Sequence, residues 1–154
     1  MGASDWQSLD KGSELHGQTR VMTAERLRWY GDGLLTSSAG APTEVGINIH
    51  TDDAYAQAEG LPAAIADGML GANWLAEMLL DYFGEYYLTT SRLRVKFIKP
   101  VFVGQQMSPR GVVSEVIREE ERSIFQIELS LTDEEGTPRT VGEASVTVPN
   151  PATA

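Results

Sequence analysis

Between Asn48 and Gly68 this chain collects the residue types that proton chemistry beside a carbonyl requires. His50 is one of two histidines, and imidazole is the side chain that exchanges a proton near neutral pH. Asp52, Asp53 and Asp67 supply carboxylates around it, and Gly68 stands at the predicted entrance to the longest apolar segment. The first N–H groups of a helix have no partner inside it, and that end of the helix favours an anion. A glycine there lets a substrate carbonyl approach the backbone closely. A histidine facing such an amide would move a proton while the amide steadies an enolate oxygen. The same residues have plainer readings, with His50 as a hydrogen-bonded loop residue and Asp52 and Asp53 as capping acids.

Two helices must position these groups. Thr51 and Asp52 before AYAQAEG read as the cap and first turn of a short helix, which Gly60 and Pro62 stop. From Gly68 to Phe83 the apolar residues Met69, Leu70, Trp74, Leu75, Met78, Leu79 and Phe83 recur at spacings of three and four, which predicts a second helix. Small residues fill much of the remainder, so this helix is expected to be buried on most sides. Met69 and Trp74 are its candidates for contact with substrate. It is not a membrane span, because Asp67, Glu77 and Asp81 interrupt it and its apolar core is shorter than the ~20 residues a bilayer needs.

The rest of the chain reads as a frame for these helices. Residues 1–12 form an expected flexible lead-in with Trp6 and Leu9 as anchors, residues 13–148 the domain, and residues 149–154 a frayed tail. Residues 13–22 read as a first strand, and Thr23 caps a helix in which Leu27, Tyr30 and Leu34 share a face. Residues 36–45 are small, polar and proline-containing, so they read as a loop leading to His50. After the buried helix everything reads as strand: residues 92–97 alternate strictly, and 111–117, 123–131 and 141–148 follow, with a turn at 133–138. The expected class is α+β, an antiparallel sheet wrapped around a long buried helix. A helix of this apolarity needs more cover than one sheet provides, which points to a homodimer or higher homo-oligomer.

Composition excludes several other classes. The chain has 154 residues and 42% hydrophobic content, enough for one domain with a substantial core. There is no cysteine, hence no disulfide or thiolate chemistry. The net charge of −10 opposes nucleic-acid binding. Two distant histidines give no metal-ligand spacing, and no basic-then-apolar leader follows Met1, so a cytoplasmic protein without a metal centre is expected. Arg92, Arg94, Lys96 and Lys99 form a basic cluster in this acidic chain. It reads either as cross-strand pairing with Glu115, Glu119, Glu120 or Glu121, or as contact with the phosphates of coenzyme A or a phosphopantetheine arm, with Arg94 and Lys96 the leading candidates.

The run NIHTDDAYAQAEGLPAAIADGML resembles the signature of the MaoC-like, (R)-specific enoyl-CoA hydratase family of hot-dog proteins, approximately D-x-N-P-x-H-x-D, then A-x-x-x-G-L-P, then I-x-H-G-M. KFIKPVFVGQ is similar to the family's KFxxPVxxGD, and the ending VGEASVTVP also resembles it. The resemblance implies a hot-dog fold that pairs into dimers, with His50 as the catalytic histidine and Gly68 as the glycine whose N–H binds the thioester oxygen. Three positions depart from the pattern. The family's catalytic aspartate falls on Val45, its Asn and Pro on Ile47 and Asn48, and the His of I-x-H-G on Asp67. Glu44, one residue from the expected acid, or Asp67 would have to replace the missing carboxylate. Asn48 can hold a water but cannot act as a base.

The implied activity is hydration or dehydration of a 2-enoyl/3-hydroxyacyl thioester in fatty acid or polyketide metabolism, with coenzyme A or phosphopantetheine as part of the substrate and no other cofactor. Val45 keeps open a thioesterase, a tailoring cyclase or isomerase, or a non-catalytic acyl-binding partner subunit.

Overall fold

In the computed structural model, residues 5–36 and 47–150 are described. A 3-10 turn, Asp5–Ser8, precedes β1 (Glu14–His16), β2 (Arg20–Val21), α1 (Ala24–Thr36), α2 (Asp53–Ala58) and α3 (Gly68–Phe83). Then come α4 (Glu85–Thr90), β3 (Arg92–Phe97), β4 (Gln106–Arg118), β5 (Arg122–Thr132) and β6 (Pro138–Pro149). The sheet runs in the order β1-β4-β5-β6-β3, with β2 also paired to β4, and every pairing is antiparallel. Side chains alternate across a strand. The inner face therefore gathers Phe125, Ile127, Leu129 and Leu131 from β5 with Ala144, Val146 and Val148 from β6, all buried.

Against that face lies α3, with the bounds its apolar spacing predicts. Gly71, Ala72, Trp74, Leu75, Met78, Leu79 and Phe83 are buried, and the Phe83 ring sits 5.4 Å from that of Phe125. The helix is less enclosed than expected: Met69 and Leu80 stay exposed in the single chain. Arg20 ties it to the sheet. Its guanidinium donates to both Glu77 carboxylate oxygens, at 2.6 and 2.7 Å, and lies 5.7 Å from the centroid of Trp74. The Trp6 and Leu9 side chains, ahead of β1, are buried in the same core.

Three expectations need correction. Residues 13–22 do not form one strand: the chain breaks between β1 and β2 opposite Pro109, which has no N–H to donate, and Gly17 N–H donates to Pro109 O at 2.9 Å. A Cβ on Gly17 would meet Pro109 at 2.8 Å, so the close approach depends on glycine. The region after α3 is not all strand either. Gly84, at φ 57°, ends α3, and a new helix starts at Glu85. The aromatic and β-branched letters EYYLTT suggest a strand, but Tyr86 and Tyr87 pack on the core and Tyr86 meets Trp6 edge-on at 6.1 Å. Finally, β4 starts five residues before the expected 111, at Gln106.

Candidate active site

His50 is presented by a tight turn. Asn48 Oδ1 accepts the His50 backbone N–H at 2.8 Å, while Thr51 and Asp52 N–H donate to Asn48 O. Next, Asp52 caps α2 by accepting Tyr55 N–H at 2.7 Å, and Asp53 accepts Ala64 N–H at 2.8 Å. These bonds fold the segment back so that Ile65 N–H donates to Ile49 O at 3.0 Å. The His50 Nδ1 then lies 2.9 Å from Ile65 O. A carbonyl oxygen only accepts, so Nδ1 carries a proton, and the neutral ring keeps its lone pair on Nε2.

Two residues beyond Ile65 the chain enters α3. Asp67 is its N-cap, accepting Met69 N–H at 2.8 Å. The Gly68 N–H has no hydrogen-bond acceptor among the described residues. A Cβ on Gly68 would lie 2.8 Å from the Phe97 ring, and one on Gly71, three residues on, would lie 2.6 Å from Leu131 Cδ2. Thr140 on β6 is registered with Phe97 on one side and Leu131 on the other. Phe97, Thr140 and Leu131 thus form a row across three strands, and the first turn of α3 crosses it on two glycines. From α1, Tyr30 reaches the same end of α3. Burial first, and the Asp67 carboxylate second, raise its phenol above the ordinary range, against a hydrogen bond with Asn73 that lowers it.

His50, Asp67, Gly68, Gly71 and the Phe97–Thr140–Leu131 row line one cavity of about 400 Å³, within the ordinary range of ligand sites. Its inner end is apolar and closed by Met22 and Leu131, each 1% exposed, and its outer end is formed by exposed Ile98, Lys99 and Pro100. A second cavity of about 590 Å³, with Arg28, Asp52 and Asp53 in its lining, shares His50 as part of its wall.

Of the residues singled out from sequence, His50, Gly68 and Asp67 are brought together in this cavity. Asp52 lines only the second one, and Asn48 builds the turn. The structure moves four other substrate candidates away. Met69 is exposed on the outer side of α3, and Trp74 is buried beneath Arg20. Arg94 and Lys96 are exposed on β3, and Arg94 pairs with Glu143 at 3.7 Å rather than with the glutamates expected. Lys99 is the member of the basic cluster that lines the cavity. Glu44 and Val45 lie outside the described residues. Asp67 does not complete a dyad, since no carboxylate among the described residues lies within 4.0 Å of a His50 ring nitrogen. Nor do three His, Asp or Glu side chains among them converge as a metal site.

Sequence reasoning missed Thr140 and Phe97. The alternation of Val148, Val146 and Ala144, continued back along β6, places Thr140 inward as a polar residue on an apolar face, which was a readable signal. Phe97 is identified only by its contact with Gly68.

Comparison with known proteins bears on the same region. The MaoC-like domain family matches residues 48–135. Among curated proteins, none matches the chain. Similar solved structures include an (R)-hydratase from A. caviae involved in PHA biosynthesis, with 23% identity over 91% of this chain and 97% of that one, at a TM-score of 0.68. An R-hydratase from Pseudomonas aeruginosa has 16% identity over 98% and 92% of the two chains, also at 0.68. A MaoC-like dehydratase from Rhodospirillum rubrum has 14% identity over 94% and 97%, at 0.72.

Proposed function

This chain belongs to the MaoC-like domain family, a family of hot-dog fold proteins, and from that premise we propose that it hydrates a 2-enoyl thioester or dehydrates the corresponding 3-hydroxyacyl thioester. One observation carries the reading: His50 and the Gly68 N–H, which has no acceptor among the described residues, line the same cavity, which is apolar at its inner end.

In the hydration direction the thioester oxygen accepts from Gly68 N–H at the positive end of α3. His50 Nε2 takes a proton from water as the water oxygen bonds to C3. The C2–C3 π electrons move toward the thioester, forming an enolate whose oxygen the amide steadies. The imidazolium then returns the proton to C2, which restores the carbonyl and the neutral ring. Dehydration is the reverse. Asp67 holds the amide in place through its cap. The acyl group arrives on coenzyme A or phosphopantetheine, and the chemistry requires no metal or redox group. The acting unit is taken to be a homodimer, for among the described residues β3 pairs on one edge only, and its last residue, Phe97, and the following Ile98 are 47% and 41% exposed.

The test is loss of enoyl absorbance when the purified protein meets crotonyl-CoA and longer 2-enoyl-CoA esters. No change with any of them removes the hydratase reading. That no carboxylate among the described residues lies within 4.0 Å of the His50 ring nitrogens favours one second reading, an acyl-binding subunit without chemistry, which would bind these esters and leave them unchanged. Sedimentation showing only monomer at micromolar concentration would remove the homodimer.

A further inference from the structure

The inner end of the cavity is lined by Met22, Leu131, Gly71 and Ala66, with one hydroxyl among them. Thr140 is 3% exposed, and its side chain has no hydrogen-bond partner among the described residues. No side-chain polar atom among them is both fully occluded and unpartnered. The Thr140 hydroxyl therefore keeps open surface, and the cavity it lines is where that surface lies. A hydroxyl almost removed from water and lacking a protein partner is unfavourable unless something polar comes to it.

Its depth says what that would be. Phe97 is 47% exposed and Leu131 1%, so the row runs from mouth to floor, with Gly68 over the outer residue and Gly71 over the inner one. A thioester oxygen held at Gly68 N–H sends its chain inward past Thr140. The step from Phe97 to Thr140 is one strand spacing, about 4.8 Å, or roughly three to four carbon–carbon bonds of an extended chain.

We propose that Thr140 is a further substrate-binding residue, whose hydroxyl hydrogen-bonds an oxygen carried on the acyl chain at C4 or C5, so that the site prefers oxygenated acyl thioesters to plain hydrocarbon ones. The proposal rests on the thioester reading above. At the otherwise apolar inner end of a pocket one hydrogen-bonding group orients the ligand, and a site built to hold a substrate oxygen discriminates against the analogue without it.

The experiment is titration calorimetry of the full chain with hexanoyl-CoA and 5-hydroxyhexanoyl-CoA, neither of which carries the reacting double bond. The wild type is expected to bind the hydroxylated ester roughly tenfold tighter. Thr140→Val should bind the two alike, with hexanoyl-CoA bound at least as well as before, which also reports an intact fold. Thr140→Ser should restore the preference. Equal binding of the two esters by the wild type, as when a bound water alone satisfies Thr140, overturns the proposal, and so does a preference that survives Thr140→Val. Failure of both esters to bind the wild type overturns the thioester reading together with it.

Discussion

His50 Nδ1 lies 2.9 Å from the carbonyl oxygen of Ile65, and the Ile65 N–H in turn bonds Ile49 O at 3.0 Å. Two hydrogen bonds thus lock the turn that carries the imidazole to the strand-like segment that leads into α3. The proposed base and the amide proposed to work with it are fixed to one short piece of backbone. His50→Ala should lower kcat for crotonyl-CoA hydration by about 10² to 10⁴-fold, the usual contribution of a positioned acid-base group. The Kd for hexanoyl-CoA should change little, because the cavity wall around it remains. Unchanged turnover would show that His50 is not the base.

Gly68→Ala keeps the N–H but adds a methyl where three Phe97 ring carbons lie at 2.8 to 2.9 Å. Phe97 must swing aside, and overpacking of this kind costs about 1–3 kcal/mol. Turnover should fall at least tenfold, and adding Phe97→Ala in the same chain should recover most of it. A double variant no better than Gly68→Ala would show that the loss has another source than this contact.

How much of this was legible in the letters depended on the range of the interaction. The bounds of α3 follow from apolar residues at spacings of three and four between a capping acid, Asp67, and Gly84. The inward faces of β5 and β6 follow from alternation. Convergence of His50 and Gly68 on one cavity was foreshadowed by the motif they share. What could not be read was tertiary: that Pro109 would break the facing strand, that Tyr86 and Tyr87 would be drawn into a helix by the core, and that Lys99 rather than Arg94 or Lys96 would meet the cavity. Strand parity turns Arg94 and Lys96 outward, and a residue beyond the strand end escapes parity altogether.

The Asp133–Arg139 pair supports the cavity from behind and should make stability depend on pH. Asp133 accepts from Arg139 Nε at 2.9 Å, and Arg139 O accepts the N–H groups of Ile98 and Lys99. Burial raises the Asp133 pKa, but the Thr137 N–H, the Arg139 guanidinium and the Glu135 N–H outweigh it and leave it below the ordinary range. A carboxyl depressed in the folded state stabilises above its unfolded pKa of about 3.9, and that contribution is lost as pH falls through the folded value. Asp133→Asn should therefore melt at a lower temperature than wild type at pH 7, and the gap should narrow toward pH 3. A gap that is constant or widens on acidification would contradict the direction of the shift.

Lys99 offers the clearest contrast with the cations the sequence favoured. It lines the outer end of the cavity and makes no ion pair among the described residues, whereas the Arg94 side chain is 86% exposed and faces Glu143. An exposed charge contact of this kind is weak and screened by salt. Lys99→Glu should raise the KM for crotonyl-CoA roughly twofold to fivefold at low ionic strength, with kcat nearly unchanged and the difference shrinking as salt is added. Arg94→Glu and Lys96→Glu should leave KM within error of wild type. The reverse result, a KM that responds to Arg94 and Lys96 but not to Lys99, would place the anionic end of the substrate along β3 rather than at the cavity mouth.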